Sequence, residues 1–467
     1  MLSGIVVLWM LTQLSSTPFA LSPEPLDWET LVSKAAEAGA FLLLIEQRST
    51  DGRRHAGAGF VFATLGGIAI WQGGLLAAGM FPVLAHQDDT GHTHAPGTPV
   101  VHEHGDAEGG VTLKQWLSQT LPGSQKTAYD WNLPAGFPPP RVPEDNPMTE
   151  AKVELGRYLF YDPRLSGNGT QSCSSCHLQA MAFTDGLPQA VGSTGAIHPR
   201  SSMSLTNVTY NATLTWANSA LVELEKQILV PIFSENPVEL GVAGHEAEVL
   251  GRLRGDERYQ RLFREAFPDS NDPFTINSVT RSLASFVRAL VSGNSPYDRF
   301  VYGKELSALS ESALRGMELA LSEDLECHHC HGGFNFTTST IHANTRFYEA
   351  PFHNTGLYNV DGEGSYPADN LGLFDVTNRP EDMGRFRAPT LRNIALTAPY
   401  MHDGSIATLE DVIRFYEQGG RRIEAGARAG DGRVNPYKSG FVGGFTLDDQ
   451  QREDLIAFLH SLTDSTF

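Results

Sequence analysis

Cysteine is nearly absent, with four residues in a chain of 467. All four fall into two C-x-x-C pairs, so none is left for a structural disulfide. Basic charge is also short: 34 Lys and Arg stand against 54 Asp and Glu, a net charge of −20. That balance argues against nucleic acid, which needs a cationic surface, and leaves a basic or neutral protein as a partner. Strand-like alternation is scarce as well, which points to an all-α fold. The hydrophobic share of 41% is that of a globular protein, and the length suits two or three domains.

What is present is a repeated pentapeptide. Cys173-Ser174-Ser175-Cys176-His177 recurs as Cys327-His328-His329-Cys330-His331, and the two use every cysteine. C-x-x-C-H is the attachment signature of c-type haem. One helical turn separates the thiols that form thioethers, and the following His becomes an axial iron ligand. A thioredoxin-like pair would need a βαβ context and no trailing His. Four cysteines sharing one zinc would have to pair across more than a hundred residues, far beyond common zinc modules, and zinc leaves both histidines unexplained. Two covalent haems follow. Such attachment takes place on the exported side of the bacterial membrane, so an export signal is expected.

Residues 1–14 carry an apolar run with no basic residue before it, a poor signal peptide. Arg53-Arg54 precedes a better one, the apolar, Gly-rich stretch 56–85, with Val83-Leu84-Ala85 as a cleavage site. The same stretch is long enough to serve as an uncut anchor. Residues 1–85 are therefore read as a targeting region, of which 1–52 are a candidate spurious extension. Residues 86–144 read as a flexible, disordered linker rich in His, Pro and Gly. Its His92, His94, His102 and His104 read as solvated side chains, with loose copper or zinc binding as the minority reading.

Two cytochrome c-type domains are expected to follow, at 145–305 and 306–467. Thr149 is an N-cap for a helix with Val153, Leu155, Leu159 and Phe160 on one face, stopped by Pro163. Further helices are expected at about 219–230, 245–266 and 275–292. Ser310 opens a helix running to about residue 321, directly before the second pentapeptide. Thr408-Leu409-Glu410-Asp411 reads as a capping box, Gly419-Gly420 as the stop of that helix, and Thr446 as the cap of a final one. A helix before each haem motif and another at the end repeats one domain plan twice.

The words around the motifs are more specific. Glu154-Leu155-Gly156-Arg157-Tyr158-Leu159-Phe160-Tyr161-Asp162-Pro163-Arg164-Leu165-Ser166 leads into the first, and Ala182-Phe183-Thr184-Asp185-Gly186 follows it. Pro389-Thr390-Leu391-Arg392-Asn393-Ile394 and Thr397-Ala398-Pro399-Tyr400-Met401-His402-Asp403-Gly404 come after the second. Together they resemble the bacterial di-haem cytochrome c peroxidase and MauG family over roughly residues 145–467. Within it the chain looks most like MbnH-type enzymes, partners of MbnP-like periplasmic proteins.

The resemblance implies one haem that reacts with hydrogen peroxide, on Cys173, Cys176 and His177. It implies a second, relay haem on Cys327, Cys330 and His331. Glu239 matches the family's distal acid/base, and Gln227 and Pro231 its pocket neighbours. A surface carboxylate after Pro237 is the competing reading of Glu239. Trp216 matches the Trp between the haems, although the usual Trp-Asp-Gly-Arg context is here Trp216-Ala217-Asn218-Ser219. A core aromatic is compatible with that role. Tyr416 occupies the position of the relay haem's second ligand, Met in the peroxidases and Tyr in MauG-type enzymes. A phenolate favours higher iron valence where a thioether raises the potential. An apolar-face Tyr is the competing reading, and Met401 the alternative ligand. His198 reads as an exposed loop residue and His402 as a propionate partner. Thr397, Pro399 and Ser201 match a calcium site, Ser201 standing where the family has Asn.

The first functional expectation is a periplasmic oxidase that uses peroxide to reach a high-valent iron state and oxidises a partner protein, plausibly Trp to kynurenine. The second is a cytochrome c peroxidase drawing electrons from a small redox protein. The third is a non-enzymatic electron carrier.

Overall fold

A computed structural model describes residues 129–467. The expected targeting region at 1–85 and the His-rich tract at 86–104 lie outside the described residues. Among the described residues no helix is long and apolar enough to cross a membrane.

Among the described residues twelve α-helices carry the fold: α1 (Glu150–Tyr161), α2 (Cys173–Cys176), α3 (Leu224–Phe233), α4 (Glu246–Arg254), α5 (Glu257–Ala266), α6 (Ile276–Arg288), α7 (Pro296–Val301), α8 (Glu311–Ala320), α9 (His328–His331), α10 (Phe374–Thr377), α11 (Leu409–Glu417) and α12 (Asp449–Ser461). The strands among the described residues are two short antiparallel ribbons. β1 (Phe352–His353) pairs with β2 (Phe386–Arg387), and β3 (Arg422–Ile423) with β4 (Gly430–Asp431).

Each half is built on one helix crossing. In the first, α1 lies on α6. A Cβ on Gly156 would stand 2.0 Å from the Ser282 carbonyl oxygen and 2.8 Å from the Phe286 Cβ, so only glycine permits the approach. In the second, α8 lies on α12, and a Cβ on Gly316 would stand 1.9 Å from the Asp454 carbonyl oxygen and 2.9 Å from the Phe458 Cβ. The first crossing buries Leu155, Leu159, Phe160, Leu283 and Val287. The second buries Ile413, Leu455, Phe458 and Leu459 with Phe336 and Tyr366. Full burial of each large side chain contributes roughly 1.5–3 kcal/mol.

Thr149 caps α1, its hydroxyl accepting from the Lys152 amide at 3.2 Å. The helix expected at 245–266 is two helices. The chain breaks at Gly255, and the Asp256 carboxylate caps the second by accepting from the Arg258 amide. Thr408 caps α11 by accepting from the Asp411 amide at 3.1 Å, and its hydroxyl donates to the Asp411 carboxylate. The cap of α12 is Asp448 rather than Thr446. Asp448 and Gln451 satisfy each other's backbone amides, a reciprocal pair that Thr446 stands too far upstream to join.

The linker reading does not hold for its last part. Residues 129–144 lack regular structure but pack on the fold. Phe137 is buried edge-on between Tyr210 and Phe334, and the Tyr210 hydroxyl donates to the Pro138 carbonyl at 2.8 Å. The halves are joined again at residues 464–467. The Asp464 carboxylate accepts from the Gly293 and Asn294 amides at 3.1 and 2.9 Å, and Phe467 packs on Phe183 at 5.7 Å.

Candidate active site

The two pentapeptides form the single turns α2 and α9. The Ser172 amide donates to the Ser175 hydroxyl at 3.1 Å at the start of α2, and the His177 amide donates to the Cys173 carbonyl at 3.0 Å. The His331 amide makes the matching bond to Cys327 at 2.9 Å. Both imidazoles are anchored from behind. His177 Nδ1 is 2.8 Å from the Phe183 carbonyl, and His331 Nδ1 is 3.1 Å from that of Pro389 and 3.3 Å from that of Phe336. Phe183 and Phe336 both adopt left-handed backbone, φ +61° and +48°, an uncommon conformation that turns their carbonyls toward the histidines. With Nδ1 committed as a donor, Nε2 is left as the lone-pair nitrogen in each ring, the state an iron ligand needs. Burial keeps both rings neutral, His331 down to about 4.

A cavity of about 380 Å³ opens beside α2, and one of about 200 Å³ beside α9. Cys173 and Cys176 line the first, Cys327 and Cys330 the second. The pairs therefore serve separate sites, which removes the shared-zinc alternative.

Glu239, Gln227 and Pro231 all line the first cavity with His177. Gly192 lets the Glu239 loop in: a Cβ there would sit 1.8 Å from the Val238 carbonyl oxygen. The Ser193 amide then donates to the Glu239 carbonyl at 2.8 Å. Burial raises the Glu239 carboxyl to about 7, so it exchanges a proton near neutrality. The Gln227 amide oxygen is buried without a hydrogen bond. His198 was expected on an exposed loop. It instead lines this cavity, half-buried, with Nε2 3.8 Å from Glu239 Oε1, because the 190–198 loop folds back over the Glu239 turn.

Tyr416 lines the second cavity from α11, and burial raises its phenol well above the usual range. Its hydroxyl makes no hydrogen bond with a described residue. Met401 lines the same cavity. Two further residues there, His353 and Arg387, escaped sequence reasoning, and His402, read from the sequence as a propionate partner, joins them. His353 and His402 each keep a buried Nε2 without a partner. Arg387 is 3% exposed and meets no carboxylate among the described residues; one terminal nitrogen is unbonded, and burial lowers the guanidinium to about 10. A lone buried cation is costly unless an anion meets it. Only its position just before Pro389-Thr390-Leu391-Arg392 could have drawn notice. His402 stacks on Phe386 at 3.6 Å.

Trp216 lines both cavities and a third of about 70 Å³ between them. Its Nε1 donates to the Ser201 carbonyl at 3.0 Å. The three calcium candidates Ser201, Thr397 and Pro399 line that small cavity together. Asn211, not foreseen, adds a buried carbonyl oxygen without a hydrogen bond, so the donor set is all oxygen. Arg387 and Arg392 also border it and oppose a dication there, although Asp298 neutralises Arg392 at 2.8 Å.

The chain is similar in sequence and fold to known proteins. The family described as di-haem cytochrome c peroxidase matches residues 150–306. A cytochrome c peroxidase, IdrP1, of a Pseudomonas species is 35% identical over 355 residues, covering 70% of this chain and 85% of its own. The methylamine utilization protein MauG of Methylorubrum extorquens is 33% identical over 322 residues, 68% of this chain and 80% of its own. A solved MauG-like protein associated with microbial copper homeostasis is 53% identical, with a TM-score of 0.71, covering 72% of this chain and 96% of that one.

Proposed function

The chain belongs to the di-haem cytochrome c peroxidase and MauG family, an oxidoreductase with two covalent c haems, and on that premise we propose that it uses hydrogen peroxide to oxidise a partner protein. Tyr416 in the wall of the second cavity carries the reading. The haems would supply peroxide reduction and a store for two oxidising equivalents. Cys173, Cys176 and His177 would hold the first, and Cys327, Cys330 and His331 the second. Arg387 and His402, buried with unmet polar atoms, would meet carboxylate groups of the second. Glu239 would accept a proton from one peroxide oxygen and return it to the other, the Gln227 amide orienting the peroxide. Trp216, shared by both cavities, would carry oxidising equivalents between the halves. Thr397, Pro399, Ser201 and Asn211 would hold calcium beside it.

The substrate we favour is a tryptophan of an MbnP-like periplasmic protein, converted to kynurenine, with this chain in the periplasm. The likeness to the MauG-like protein associated with microbial copper homeostasis supports it. The test adds hydrogen peroxide to diferric protein with a candidate partner and reads the partner by mass spectrometry. Modified tryptophan is expected. Peroxide turnover only when a small electron-donor protein is supplied would sink the proposal. That outcome is the peroxidase reading, which Met401 in the second cavity favours.

A further inference from the structure

His328 and His329 lie between Cys327 and Cys330 of the second pentapeptide, where haem attachment makes no demand on residue type. They are not spread into solvent. His328 Nε2 is 3.3 Å from one Glu323 oxygen, and His329 Nε2 is 3.4 Å from the other. One ligand atom from each of the three residues lies within 4.8 Å of the others. Glu326 adds a fourth group: its Oε2 is 2.8 Å from His329 Nε2, yet outside hydrogen-bond geometry, and is buried with no donor. Glu326 holds that position from a left-handed backbone, φ +60°. Phe441 stacks flat on the His329 ring at 4.4 Å and fixes its plane.

Ordinary His–carboxylate hydrogen bonds explain part of this. They do not explain why two imidazoles converge on one carboxylate, or why a second carboxylate oxygen sits at 2.8 Å without bonding. Donors bound to one ion at about 2.0–2.1 Å stand about 2.9–3.4 Å apart, and the His–carboxylate separations of 2.8, 3.3 and 3.4 Å are close to that spacing. Two imidazoles with carboxylates suit a borderline divalent ion, and copper(II) ranks first among those for such donors.

We propose that Glu323, His328 and His329, completed by Glu326, form a copper(II) site on the surface of the second haem motif. The two imidazole side chains are 25% and 32% exposed, so an ion reaches them from solvent without any opening of the fold. Flanking Cys327 and Cys330, with Glu326, line the second cavity, and none of the site's residues lines the Glu239 cavity. The proposal does not depend on which substrate the enzyme oxidises.

The test titrates the full-length, two-haem protein with copper sulfate alone. The His328→Asn/His329→Asn double variant is expected to bind one equivalent fewer, and to lack a copper EPR signal split by two imidazole nitrogens. Copper held by the histidines at 86–104 is common to both proteins and cancels. Glu323→Gln leaves the pentapeptide untouched and is expected to weaken the lost equivalent roughly tenfold or more. It decides the matter if the double variant fails to take up haem. Unchanged stoichiometry in the double variant, or unchanged affinity in fully haem-loaded Glu323→Gln, overturns the site.

Discussion

In the first half Gly156 presses against the Ser282 carbonyl and Phe286; in the second Gly316 presses against the Asp454 carbonyl and Phe458. A left-handed Phe183 holds His177 from behind, and a left-handed Phe336 stands behind His331. The backbone of the two halves is thus built to one plan. The walls facing the histidines are not. The first presents a carboxyl that burial raises to about 7, a group that moves a proton, and an unbonded amide oxygen. The second presents Tyr416, Met401 and a lone cation, groups that set a potential or meet an anion. On the proposed reading, attachment is duplicated and chemistry is divided.

The strongest way to break that contrast is Glu239→Gln. Removing the proton acceptor should slow the reaction with peroxide by roughly 10²–10⁴-fold. The spectrum of the second haem should be unchanged. Stopped-flow absorbance checks both, and a wild-type rate would remove the division of labour. Tyr416→Phe should do the converse: a changed second-haem spectrum and loss of partner oxidation, with peroxide still consumed. An unchanged spectrum means Tyr416 is not a ligand. The pH profile sharpens the contrast further. Glu239 must be ionised to accept a proton, and burial raises it to about 7. The peroxide rate should therefore fall about tenfold per unit below that pH and level off above it. Glu239→Gln should flatten the slope.

The shared plan is tested by Gly156→Ala and Gly316→Ala. Alanine favours a helix by about 0.8–1 kcal/mol. Here its Cβ would collide with a carbonyl, and overpacking of roughly 1–3 kcal/mol outweighs the gain. Denaturant titration should find both variants less stable and by similar amounts. An effect of similar size is expected of Asp464→Asn, which weakens charge-assisted bonds to Gly293 and Asn294 by roughly 1–2 kcal/mol.

The repeat itself was legible because its signals are local. Two pentapeptides, a Thr149 cap and amphipathic stripes need only neighbours in sequence to be read. Glu239, Trp216 and Tyr416 were found through resemblance, and the cavities they line were not visible in any periodicity. What escaped depended on contacts between distant segments. Arg387 is a plain arginine until burial strips it of a partner, and Asn211 a plain asparagine until its carbonyl is left unbonded. His198 looked solvated because nothing nearby in sequence tells that its loop folds over Glu239. Asp448 displaced Thr446 as a cap through reciprocity with Gln451, a competition between two adequate caps that composition does not rank.

The clasp made by residues 464–467 has a consequence for how the protein is made. Asp464 fastens the turn at Gly293 and Asn294, and Phe467 covers Phe183, whose carbonyl holds His177. Order of synthesis and order of completion therefore differ. The first half is made before the second, yet its Phe183 is uncovered and its turn at Gly293 and Asn294 unfastened until residues 464–467 are in place. A chain that stops short of residue 464 would lack both contacts.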